Sequence, residues 1–70
     1  MNAREWIDEF AARLGVEAPT ADEFSAILDL AGEAAHSSER VAAPAAAWIA
    51  AKAGRTPSDA LEVAREIGAA

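Results

Sequence analysis

Seventy residues make a single domain, close to the lower size at which a hydrophobic core holds a fold without staples. The chain has no cysteine, which excludes disulfides and thiolate metal sites and fits a reducing compartment. Its net charge of -6, with six basic residues scattered from Arg4 to Arg65, excludes the cationic face that nucleic acid requires and leaves solvated acidic faces or a basic partner.

The first element is a helix over about 3–14, with Asn2 as its cap. Ala3, Trp6, Ile7, Phe10 and Leu14 recur at the spacing of one helical face, and Gly15 ends it. Glu9 and Arg13 are a favourable i,i+4 pair. Glu5, Asp8 and Glu9 are early acids that no signal or transit peptide carries, so a cytoplasmic location is expected.

After a short connector, Thr20-Ala21-Asp22-Glu23 reads as a capping box opening a helix over 21–37. Phe24, Ile27, Leu28, Ala31, Ala34 and Ala35 form a stripe that Leu30 widens. A stripe that broad predicts contacts on more than one side, hence a central helix with Phe24 and Leu30 left partly exposed.

The third helix, over 43–53, carries Trp48 and Ile49 among alanines. Pro44 fits its first turn and Gly54 its left-handed end. Trp48 is the one large aromatic there and is expected to be largely buried, its loss costing ~3–5 kcal/mol. The run Val41 to Ala51 is far short of the roughly 20 apolar residues that cross a bilayer. Thr56-Pro57-Ser58-Asp59 is the clearest helix start in the chain, and the fourth helix runs over 57–67 with Gly68 in a frayed end. The fold class is therefore all-α: one compact four-helix domain spanning 1–70, with no strand.

Few residues point to chemistry. Glu33 and His36 have the Glu-x-x-His spacing of half a di-metal site, but one copy and a single histidine do not complete it. The pairs Asp8-Glu9 and Asp22-Glu23 fall on exposed faces or first turns, whereas carboxyls that do acid–base work need burial. Ser25, Ser37, Ser38 and Ser58 lack an activating base, and no glycine-rich loop exists. Size and acidity match an acyl carrier protein, yet its Asp-Ser-Leu motif is missing where Asp22-Glu23-Phe24-Ser25 stands. No catalytic, cofactor-binding or metal-ligating residue is expected, no cofactor, and no enzyme activity of the chain by itself.

Trp6-Ile7-Asp8-Glu9-Phe10, Leu14-Gly15-Val16, Leu28-Asp29-Leu30-Ala31, Ala35-His36, Arg40 and Ala42-Ala43-Pro44 resemble a family of small helical domains of unknown function from high-GC bacteria. The similarity covers about residues 4–54. Members occur alone or appended to proteins resembling the molybdenum-cofactor guanylyltransferase, which makes molybdopterin guanine dinucleotide. The resemblance implies an accessory or docking role near that synthesis, without the activity itself.

Two functions of different classes follow. The first is a non-catalytic interaction domain that binds a molybdenum-cofactor protein or a second copy of itself, with no nucleic acid and no membrane as partner. Phe24 and Leu30 would supply its apolar patch. Asp22, Glu23 and Glu33 would frame that patch and steer a basic partner, so that binding weakens as salt rises. The second is a binder of a small anion, such as a nucleotide or pterin phosphate, at the corner between helices two and three. There His36 and Arg40 lie one turn apart and either meet an anionic group or cap the carbonyls that end helix two, Arg40 bonding Asp29 or Glu33.

Overall fold

The computed structural model describes all 70 residues and is all-helical: α1 (Ala3–Leu14), α2 (Ala21–Ser37), α3 (Ala42–Lys52) and α4 (Pro57–Ala69), with no strand. The helix starts follow from their caps. Asn2 Oδ1 accepts from the Glu5 amide at 2.8 Å while Glu5 Oε1 accepts from the Asn2 amide at 3.0 Å, a reciprocal box. Thr20 and Glu23 repeat it on α2 at 3.1 and 2.8 Å. On α4 the Thr56 hydroxyl accepts from the Asp59 amide at 3.1 Å, with Pro57 in the first turn.

α3 has no side-chain cap, and Val41 precedes it in helical conformation. Its first amides instead meet the preceding turn, Ala42 donating to Glu39 and Ala43 to Arg40 carbonyl oxygens. Pro44 stands third in the helix, where an N–H has no intrahelical acceptor to lose. α1 and α3 both end on a glycine in the left-handed region, Gly15 at φ 76° and Gly54 at φ 72°. In each case the residue after the glycine donates back across the last turn, Val16 to Ala11 and Arg55 to Ala50.

α2 is the central element. α3 and α4 both pack closely on it and meet each other far less. α4 runs two residues past its expected end, so Gly68 is helical and not frayed. There α4 runs close against α2: a Cβ at Gly68 would sit 2.9 Å from Glu33 Oε2 and 3.3 Å from Ser37 Cβ. α1 lies apart, with no Cα within 8 Å of a Cα in another helix. The molecule is correspondingly long, 39 × 24 × 18 Å. The Arg4 side chain ties α1 to α2: Nη2 donates to the Pro19 carbonyl at 3.2 Å, and the guanidinium lies 5.1 Å from the Phe24 ring centre.

Two expectations about the core are overturned. Leu30 is the most buried residue of the chain, 3% exposed, and so belongs to no surface patch. Trp48, expected inside, is 63% exposed, with the Lys52 ammonium 4.7 Å from its ring centre. The cause is the alanines. Ala42, Ala43, Ala46, Ala47 and Ala50 are the covered residues of α3, and a methyl-sized stripe lets the α3 backbone approach α2 closely. Trp48 stands two residues from both Ala46 and Ala50, about 160° round the helix from each. Only Ala11, Leu30 and Ala50 are buried.

Candidate functional site

Three surface regions gather the residues that could act on another molecule. The first is a polar hollow between α2 and α4. Asp29, Gly32, Glu33 and His36 line it from α2, Leu61 and Arg65 from α4. Arg65 escaped the sequence reading because α4 looked generic. Its signal was there: four residues after Leu61, it borders the apolar face that α4 turns to α2.

The structure thus sets His36 and Arg65 on the same hollow, and Arg40 does not line it. Arg40 makes no side-chain hydrogen bond or ion pair, with Asp29, Glu33 or the carbonyls ending α2, which corrects the capping role considered for it. The carbonyl of Glu33 accepts from the Ser37 hydroxyl instead, at 2.8 Å. Within the hollow one guanidinium and one imidazole stand with two carboxylates. Asp29, Glu33 and His36 do not converge on a point that could hold a metal ion.

The acidic frame expected around an apolar patch is not assembled. Glu23 is engaged in the capping box with Thr20, and Asp22 stands beside it, exposed at the start of α2. Glu33 lies ten residues further on, about 15 Å along the helix, half-buried against α4. Phe24 is half-buried under Arg4.

The second region is an apolar groove of about 340 Å³ running between α3 and α4, floored by Leu30 and Ala50 and walled by Ile49, Val63, Ala64 and Ile67. It continues past Ala34 and Ala42 toward the start of α3. Arg55 is the only charged residue along it. The third comprises two exposed aromatic surfaces. On α1, Trp6 and Phe10 stack at 4.9 Å between ring centres, followed by exposed Leu14 and Val16. On the outer side of α3, Trp48 lies under Lys52.

What these regions define is an all-helical domain with much apolar surface. The chain belongs to the family described as a domain of unknown function (DUF6457), whose model matches residues 1–70. No curated protein and no solved structure matches it. No helix is long and apolar enough to cross a membrane.

Proposed function

We propose that this domain is a non-catalytic, cytoplasmic protein-interaction module serving molybdenum-cofactor biosynthesis, and that it docks on the guanylyltransferase that makes molybdopterin guanine dinucleotide. The observation that carries the interaction role is the exposure of large apolar side chains, eleven of them, against three buried residues. A monomeric soluble domain seldom leaves so much apolar surface without use. The link to the cofactor rests on the resemblance of the Trp6–Phe10, Leu28–Ala31 and Arg40–Pro44 segments to domains found beside such enzymes.

Trp48 is the anchor of the docking face. A half-open tryptophan on a rigid helix is the side-chain type that dominates binding when a partner pocket closes over it. The net charge of -6 draws a basic partner toward the domain as a whole. Titration calorimetry of the domain against purified guanylyltransferase tests the reading. Micromolar binding that weakens with salt and falls at least tenfold in Trp48→Ala is the expected result. Absence of binding, with both proteins folded, removes the cofactor role.

A further inference from the structure

We propose that the groove between α3 and α4 is filled by α1 of a second copy of this chain, each copy lending its α1 to the other. This rests on the reading of the domain as an interaction module but concerns a different face from Trp48.

The amount of surface is the first ground. A folded monomer of 7.2 kDa exposes about 4,100 Å² by the usual scaling with mass, whereas this chain exposes 5293 Å². The surplus of about 1,200 Å² exceeds the roughly 800 Å² per partner of a standard interface and reaches the range of permanent homodimers.

The second ground is complementarity within one chain. α2, α3 and α4 form a three-helix unit with an open apolar groove, and α1 is an amphipathic helix that packs closely on none of them. Trp6, Phe10 and Leu14 follow one another at intervals of four, a ridge of the kind that fits between two helices. Twelve residues make α1 about 18 Å long, against about 16 Å for the eleven of α3.

Charge permits the contact. The ridge is flanked by Glu9 and Arg13, which neutralise each other across 3.6 Å, and the groove carries only Arg55. The repulsion between two copies of charge -6 is therefore long-range and screened by salt, so self-association tightens as salt rises. That is the opposite sign to docking on a basic enzyme.

Sedimentation equilibrium of the full chain tests this, with a mass of twice 7.2 kDa expected. Phe10→Asp, in the ridge, and Ile49→Asp, in the groove, should each be monomeric with helical circular dichroism retained. Mixed in equal amounts they should dimerise again, because one ridge and one groove remain intact in each mixed pair.

A wild-type mass of one chain up to ~100 µM overturns the proposal, as does a mixture that stays monomeric. If a charged variant fails to fold, cross-linking decides. The chain has no native cysteine, so a mixture of Phe10→Cys and Ile49→Cys should form a covalent dimer under mild oxidation beyond what either variant forms alone. No excess over those controls overturns the pairing. A monomer that still binds the enzyme through Trp48 removes this inference and leaves the proposed function, and a dimer indifferent to the enzyme does the reverse.

Discussion

Leu30→Ala should cost far more stability than Trp48→Ala, although tryptophan is much the larger side chain. Leu30 is 3% exposed at the meeting of α2 with α3 and α4, so truncating it leaves a cavity that three helices must relax around. Such changes cost about 2–5 kcal/mol. A chain of this length has roughly 4–10 kcal/mol in all, so the loss is a large part of the total. At 4–8 °C per kcal/mol for small domains, the melting temperature should fall by about 8 °C at the least. Trp48 keeps little more than a third of its surface covered. Scaling the about 3–5 kcal/mol of a fully buried tryptophan by that share gives about 1–2 kcal/mol, and the better helix propensity of alanine returns about half a kcal/mol. Thermal melts followed at 222 nm, at matched low protein concentration to hold association fixed, decide the order. A Trp48→Ala melt displaced further than that of Leu30→Ala would refute the assignment of the alanine stripe as the inner face of α3.

Gly68→Val should destabilise by about 1–3 kcal/mol in chemical denaturation, because the branch meets Glu33 and Ser37 on α2. Gly68→Ala should be nearly neutral, since the nearest atom is the movable Glu33 carboxylate and helix propensity improves; a large loss there would show that α4 cannot shift. Arg4→Ala should speed amide exchange across Ala3–Leu14 while leaving Ala21–Ser37 unchanged, because Arg4 supplies the hydrogen bond from α1 to the segment before α2. Equal acceleration in both would show that the two helices open together. Thr56→Ala should cost about 1 kcal/mol by loss of the Asp59 cap, read as a lowered urea midpoint at unchanged slope.

The helices were legible in the sequence because their ends are written in local chemistry. Thr20 with Glu23, Thr56 before Pro57, and glycines at 15 and 54 act on amides and carbonyls a few residues away, whatever the rest of the chain does. The orientation of α3 was not legible. Its residues are apolar nearly all round, so periodicity marks no inner face, and side-chain size pointed to Trp48 while close backbone approach selected the alanines. Leu30 shows the converse on α2, where a stripe wider than one face left open which leucine goes deepest. Leu28, two residues earlier, is exposed instead. That His36 and Arg65 line one hollow depends on how α4 lies along α2, a tertiary fact that no spacing within either helix encodes.

A helix whose inward face is methyl groups also shapes how the protein responds to temperature. Hydration of newly exposed apolar surface sets the heat capacity of unfolding, about 12–15 cal/mol/K per residue in ordinary globular domains, or roughly 0.8–1.0 kcal/mol/K at this length. Here eleven large apolar side chains are already substantially hydrated in the folded monomer, so unfolding newly wets less of them than in an ordinary domain. The increment for the monomer therefore lies below that range, giving a shallow stability curve and a broad transition. Covering the groove and the α1 ridge adds apolar surface to be wetted on melting, so calorimetry should show the heat-capacity step and the sharpness of the transition growing together with protein concentration.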